Sequence, residues 1–216
     1  PVRVQLTRRD APPAPRPGLA ASTTLRLAAE GQDLLAEVRQ ATERLGDTVA
    51  IIGPGSIGLF HLQAFKSAGA SIIIVIGLDQ DVGRLEIAKK LGADYVINGS
   101  REDVAKRVRE LTNGLGCDIV VEAANHPSTV GQAIDLASAY GRVMLFGLYP
   151  EATISPLTLM RSGLSVMGDV AGTPQWYQRA IRWVQYKKVV AEPLITRKFR
   201  LEQATEAFEA FHGGQS

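Results

Sequence analysis

The chain is predicted to fold as an α/β doubly wound parallel sheet of about six strands with helices on both faces. Three features of its 216 residues predict this. From Asp47 onward, short runs rich in Val and Ile alternate with helical patterns. The run Ile72-Ile-Ile-Val-Ile76 shows no apolar/polar alternation, as expected of a parallel strand covered by helices on each side. A glycine-rich turn stands between the first such strand and the helix that follows it.

The elements follow in order. Residues 1–22 read as an irregular Pro/Arg-rich tail, because Ala11-Pro-Pro-Ala-Pro-Arg-Pro-Gly18 can hold neither a helix nor a central strand. The same prolines would break the amphipathic helix of a transit peptide. Residues 23–45 read as a lead-in helix, with Leu27, Leu34, Val38 and Leu45 at helical spacing and Gly46 able to close the last turn. Residues 46–216 read as one domain. Its strands are expected at 47–53, 71–77, 95–98, 118–122, 141–147 and 164–168. Its helices are expected at 56–68, 81–91, 101–112 and 128–139, then from Pro174, capped by Thr173, and finally at 201–211. Tyr177, Ala180, Ile181 and Val184 give the penultimate helix an apolar face. Leu201, Ala204, Phe208 and Phe211 are expected to face inward from the last.

Composition narrows the classes of function. Apolar residues make up 45% and charged residues 21%, ordinary for a soluble globular chain. A net charge of +2 gives no electrostatic footing for nucleic acid. The longest strong apolar run falls far short of the roughly 18 residues of a membrane span. Neither nucleic acid nor membrane is therefore expected as a partner. The one cysteine, Cys117, can form no internal disulfide and no multi-thiolate zinc site, so the chain reads as cytoplasmic.

Gly53-Pro54-Gly55-Ser56-Ile57-Gly58 is a G-x-G-x-x-G pattern. Alone it is weak evidence, but it follows the buried run Val49-Ala-Ile-Ile52 and opens a helix. That context fits a Rossmann dinucleotide site. Gly53 permits the tight turn, Gly55 lets a pyrophosphate approach the backbone, and Gly58 lets helix and strand pack closely. The helix then presents its free N–H groups and positive dipole end to the phosphates. The dipole contributes only about 0.3 to 2 kcal/mol, so many hydrogen bonds must supply the rest.

The acid that selects NAD is expected about 20 residues beyond the loop, where it binds ribose hydroxyls and repels the extra phosphate of NADP. That spot lies nearest Gly77, with Asp79 two residues further and Asp81 beyond. If Asp79 reaches the ribose, NAD is favoured. If it points away, Gly77 leaves space and Arg84 is available to a phosphate. The reading leans to NAD, with NADP open and a plain turn role for Asp79 also open.

These residues resemble the C-terminal cofactor domain of the zinc-type medium-chain dehydrogenase/reductase family, close to its sorbitol, threonine and alcohol dehydrogenases. The matching runs are Gly46-Asp-Thr-Val-Ala-Ile-Ile-Gly-Pro-Gly-Ser-Ile-Gly58, Arg84-Leu-Glu-Ile-Ala-Lys-Lys-Leu-Gly-Ala-Asp94 and Gly116-Cys-Asp-Ile-Val-Val-Glu-Ala123, with Gly141-Arg-Val-Met-Leu-Phe-Gly147 and Glu192-Pro-Leu-Ile-Thr196. They occur in order at family spacing over residues 46–214. The resemblance implies that Ala123 and Ala124 pass the cofactor. It also implies that Gly147 and Leu148 meet the nicotinamide, and that Gly168, Asp169 and Val170 bind its carboxamide. Each could instead be a strand-end turn residue.

The resemblance has a limit. The family carries a catalytic domain ahead of the cofactor domain, with a cysteine, a His-Glu pair and a further ligand around zinc. No such set stands in these residues: 1–45 hold neither cysteine nor histidine. His61, His126 and His212 have no metal-ligand spacing, and Cys117 reads as an inert core thiol. The expectation is a chain that binds cofactor, has no catalytic or metal-ligating residue of its own, and is inactive toward alcohol unless a separate catalytic domain joins it. A homodimer through an edge strand near 151–166 is also expected, with Ile154, Leu157, Leu159 and Met160 as apolar contacts. The competing readings are a non-catalytic nucleotide-binding or redox-sensing module and a zinc-independent quinone-reductase-like enzyme.

Overall fold

The computed structural model describes residues 46–168 and 174–212, with side chains described over 46–168 and 177–210. These lie within one compact unit, Arg44–Ser216. The expected tail, the lead-in helix, Thr173, Asp169 and Val170 fall outside the described residues.

The strands are β1 (Thr48–Ile52), β2 (Ile72–Gly77), β3 (Tyr95–Asn98), β4 (Cys117–Glu122), β5 (Ala137–Leu145) and β6 (Ser165–Gly168). The helices are α1 (Ser56–Ala68), α2 (Val82–Leu91), α3 (Val104–Leu111), α4 (Ser128–Leu136), α5 (Pro156–Ser162), α6 (Pro174–Gln185) and α7 (Ala204–His212). The six strands form one sheet in the order β3-β2-β1-β4-β5-β6, every neighbouring pair parallel. This is the doubly wound Rossmann sheet that the sequence predicts. The order reverses beside β1, between β1 and β4, the kind of switch point at which doubly wound sheets bind ligands.

Successive strand residues point to opposite faces, and the core divides accordingly. Ala50, Ile52, Ile74, Ile76 and Val120 share one cluster with Val104 and Val108 of α3 and Val130, Ala133 and Ile134 of α4. Val49, Ile51, Ile73, Val75, Ile119 and Val121 share the other with Leu59 and Leu62 of α1 and Leu85 and Ala88 of α2. Burial on both faces explains why the strands carry no polar alternation. Gly69 and Gly92 end α1 and α2 in the left-handed conformation, each donating its N–H back to the last turn.

Several expectations are corrected. The helix predicted to start at Arg101 starts at Val104, because the Asp103 carboxylate accepts from the Lys106 N–H at 3.0 Å and caps it there. The helix predicted over 128–139 stops at Leu136: Ala137 pairs with Cys117 in the sheet, and the ladder overrides the helix propensity of this Ala-rich stretch. The 151–166 stretch is mostly not strand; it holds a loop, α5 and only the start of β6. Ile154 and Leu159 pack against the core, while Leu157 and Met160 are exposed.

The apolar faces of α6 and α7 are present but not covered among the described residues. Tyr177, Ile181 and Val184 of α6 are 61%, 56% and 51% exposed, and with Phe60 and Ala64 of α1 they line an open apolar groove. Phe208 of α7 is exposed too. Leu201, expected in that helix, is also exposed and belongs to a 3-10 turn, Leu201–Gln203, ahead of it. The helices that close the two core clusters are α1–α4, while Met167 on β6 stays exposed.

This division has a measurable consequence. Ile51→Ala, at a fully buried position, is expected to cost about 2 to 5 kcal/mol in urea unfolding. Ile181→Ala on the open face of α6 is expected to change it by less than about 0.5 kcal/mol.

Candidate dinucleotide-binding site

The strand register brings the expected residues together. Ile52 pairs with both Ile76 and Glu122, and Leu145 pairs with both Glu122 and Gly168, so these residues form a row across the sheet. The residues just past that row are Gly53, Gly77, Ala123 and Phe146. Backbone hydrogen bonds extend the row: Gly53 N–H to the Ile76 carbonyl at 2.9 Å, Ala123 N–H to Ile52 at 2.9 Å and Phe146 N–H to Glu122 at 2.8 Å. Gly53, Ala123, Ala124, Gly147, Leu148 and Gly168 therefore lie at one edge, the C-terminal edge where parallel sheets bind ligands.

The three loop glycines do different work. Gly53 has φ +101°, and a Cβ there would come within 2.7 Å of the Ala123 carbonyl oxygen and 2.8 Å of Ala124 Cα. It satisfies a turn and a close approach between the β1 and β4 ends at once. A Cβ on Gly58 would strike the Gly53 carbonyl and lie 3.2 Å from Ile51 Cγ2, so Gly58 lets α1 seat on β1. Gly55 is different: a Cβ there meets nothing within 4 Å. Its missing side chain opens space outward, beside exposed Ser56 and Ile57.

No side chain caps the start of α1; Gly55 is the N-cap in extended conformation. The first amides of an α-helix have no intrahelical acceptor. Those of Ser56, Ile57 and Gly58 are therefore directed out of the helix start, with the positive end of its dipole.

The expected ribose-binding acid stands next to β2 in a polar cluster. Asp79 accepts from Asn98 Nδ2 at 2.8 Å and from Arg101 Nε at 2.6 Å, and its own N–H donates to Ser100 Oγ at 3.1 Å. The bonds from Asn98 and Arg101, with the charge of Arg101, hold its carboxyl below the ordinary range. The space expected at Gly77 is filled: a Cβ there would lie 2.9 Å from Pro54 Cγ and 3.0 Å from Asp81 Cβ. Asp81 is buried, accepts from the Leu78 N–H at 3.0 Å and pairs with Arg84 Nη1 at 3.1 Å. The Arg84 charge is thus already engaged by Asp81.

Four residues that sequence reasoning passed over complete the edge. Glu122, the last residue of β4, is fully buried and accepts bonds from the segments after β4 and after β5. Asn125, at φ +60°, accepts from the Leu148 N–H at 2.5 Å. Asn98 and Arg101 surround Asp79. The one available signal was a carboxylate ending an otherwise apolar buried run, Ile119-Val-Val-Glu122.

The remaining chemical candidates are accounted for. His61 Nδ1 lies 2.8 Å from the Ile57 carbonyl, and its ring packs 4.3 Å from that of Phe146. His126 is exposed, with Nδ1 2.8 Å from Ser128 Oγ. His212 ends α7. Among the described residues no group of three or more His, Cys, Asp or Glu could hold a metal ion, so these residues do not fit the catalytic zinc of the resembled family. Cys117 is at the opposite, N-terminal end of β4, where burial and then the charge of Asp118 push its thiol up to about 12.

The profile of the zinc-binding dehydrogenase family matches residues 56–186. The chain belongs to this family. It is 34% identical over 173 residues to a sorbitol dehydrogenase of Halalkalibacterium halodurans, covering 79% of this chain and 50% of that one. It is 35% identical over 175 residues to an L-threonine 3-dehydrogenase of Pyrococcus horikoshii, with the same coverage of 79% and 50%. Among solved structures, the fold superposes on the alcohol dehydrogenase TADH of Thermus sp. ATN1 with a TM-score of 0.74 at 28% identity, covering 82% of this chain and 51% of that one. It superposes on a zinc-binding dehydrogenase of Sinorhizobium meliloti, bound to NADP, with a TM-score of 0.71 at 29% identity over 76% and 48% of the two chains. An Escherichia coli alcohol dehydrogenase complexed with NADH gives 0.71 at 29% identity over 82% and 52%. The chain spans about half the length of these relatives. Among the described residues no helix is long and apolar enough to cross a membrane.

The raised thiol gives a test of the packed strand end. Ellman's reagent at pH 8 is expected to leave Cys117 unreacted in the native chain and to titrate one thiol in urea. Fast reaction of the native chain would contradict the buried position.

Proposed function

We propose that this chain holds NAD across the C-terminal edge of its sheet as the cofactor-binding part of an alcohol or polyol dehydrogenase. In that reaction a hydride passes from the carbinol carbon to the nicotinamide, and the hydroxyl proton leaves to a base, giving the carbonyl product. The observation that carries the reading is the uncapped start of α1 beyond an unobstructed Gly55, at the sheet's topological switch point. Relatives bound to NADH or NADP support a nicotinamide cofactor.

In this reading the amides of Ser56, Ile57 and Gly58 take the diphosphate, and Gly53 holds the turn. Asp79 receives the adenosine ribose hydroxyls. Ala123 and Ala124 flank the cofactor, Gly147 and Leu148 meet the nicotinamide, and Gly168, Asp169 and Val170 take its carboxamide. Asp79 favours NAD, but Arg101 at 2.6 Å offsets part of its repulsion of a 2′-phosphate, so NADP is disfavoured rather than excluded. Arg84, held by Asp81, contributes to that face without being free to clamp a phosphate. The described residues supply no zinc set to polarise a substrate oxygen, so the groups that do so come from a catalytic domain outside them, and the cofactor part by itself is inactive toward alcohol.

A homodimer belongs to the same reading. Among the described residues β6 is an edge strand paired only with β5, and Met167 on it and Met160 on α5 are exposed. Sedimentation at micromolar concentration tests it: a monomer would refute the dimer.

Fluorescence titration with NADH tests the site. Wild type is expected to bind. Gly55→Val is expected to keep the wild-type melting temperature and lose NADH binding, whereas Gly53→Val is expected to lower stability itself. Binding by Gly55→Val equal to wild type would refute the diphosphate position.

Cofactor choice gives a second test. Asp79→Asn is expected to raise NADPH affinity relative to NADH by roughly five- to tenfold, the size of one charge pair in a water-like dielectric. An unchanged ratio would remove Asp79 from the ribose site.

A further inference from the structure

We infer that Glu122 is a positioning residue that holds the two loops beside the nicotinamide at a fixed separation. The inference rests on the cofactor reading above and goes one step deeper into it. Glu122 is 0% exposed and ends the central strand β4 in the row at the C-terminal edge of the sheet. Its Oε1 accepts from the Ala124 N–H at 2.9 Å and from Thr129 Oγ1 at 2.7 Å. Its Oε2 accepts from the Gly147 N–H at 3.2 Å and from the Tyr149 hydroxyl at 3.0 Å. The Thr129 hydroxyl also lies 2.6 Å from the His126 carbonyl, so its single proton is shared.

One oxygen therefore serves the segment after β4 and the other the segment after β5. The bond from the Leu148 N–H to Asn125 Oδ1 ties the same two segments a second time, one residue further out. Contact on this side is close: a Cβ on Gly147 would strike Glu122 Oε2 and come within 2.5 Å of Tyr149 Cε1. Burial and the neighbouring carboxylate together push the Tyr149 hydroxyl far up, so it stays a donor.

Packing alone does not call for a carboxylate here. Every other residue in the row from Ile76 through Ile52 to Leu145 is apolar, and a valine would bury at lower cost than an ion. What a carboxylate does, and valine cannot, is accept from two loops at once with two oxygens. Those loops carry Ala123, Ala124, Gly147 and Leu148, the residues assigned to the nicotinamide half. The adenine half, at the start of α1 and around Asp79, has no bond to Glu122.

The separation of halves supplies the test. NADH and ADP-ribose share the adenosine and diphosphate, and only NADH carries the nicotinamide. Their dissociation constants are measured by calorimetry for the full chain and for Glu122→Gln, Thr129→Val and Tyr149→Phe. Glu122→Gln is expected to weaken NADH about tenfold and ADP-ribose less than about twofold, as loss of buried hydrogen bonds on one side implies. Tyr149→Phe and Thr129→Val, which keep the carboxylate, are expected to weaken NADH alone by about threefold. If Glu122→Gln does not fold by circular dichroism, these two milder variants decide the matter. Equal losses for both ligands, or no loss for either, would overturn the positioning role while leaving the cofactor reading intact. Wild type that binds neither ligand would overturn the cofactor reading and this inference with it.

Discussion

The structure depends on one tight junction, where the chain leaves β1. Gly53 turns there at φ +101°, and the Ala123–Ala124 backbone crosses so closely that no Cβ fits. This contact sets the end of β1 against the end of β4, the two strands between which the sheet order reverses. It also fixes where α1 begins. Gly58 packs back on the Gly53 carbonyl, so the helix starts close against the sheet with its first amides outward. A larger residue at Gly53 or Gly58 would displace a strand end and the helix dipole together, whereas Gly55 stands clear of the chain's own packing. The fold thus needs two of the three glycines, and the packing places no demand on the third.

Charge around the site is handled in two separate clusters. Asp81 is turned inward, bonded to the Leu78 N–H and to Arg84, and helps close the space over Gly77. Asp79 is turned outward, with Asn98 and Arg101 on its carboxylate. Two aspartates two residues apart therefore differ in kind: one braces the β2 turn, the other stands exposed in a polar cluster. An exposed aspartate already paired with an arginine discriminates less sharply against added phosphate than a bare one.

Much of this was legible in the sequence because the signals were local. The alternation of buried strands and helices gave the sheet, and the helix over 56–68 and the strand over 95–98 were placed to the residue. What was not legible depends on neighbours distant in sequence. Ala137 reads as helix until Cys117 is beside it in the ladder. Gly77 reads as open until Pro54 and Asp81 close over it. The apolar faces of α6 and α7 were legible, but periodicity says only that a face is apolar, not what covers it. Glu122 reads as a strand end, since nothing in its run announces that Thr129, Gly147 and Tyr149 arrive at its two oxygens.

In the proposed function a diphosphate sits on the first amides of α1. A crystal structure of the chain with NADH tests it directly. Diphosphate oxygens at about 2.9 Å from the N–H groups of Ile57 and Gly58, with the nicotinamide lying between the segments after β4 and β5, are the predicted result. A dinucleotide bound away from the Gly53–Gly58 turn, or no density for one at saturating NADH, would contradict the account.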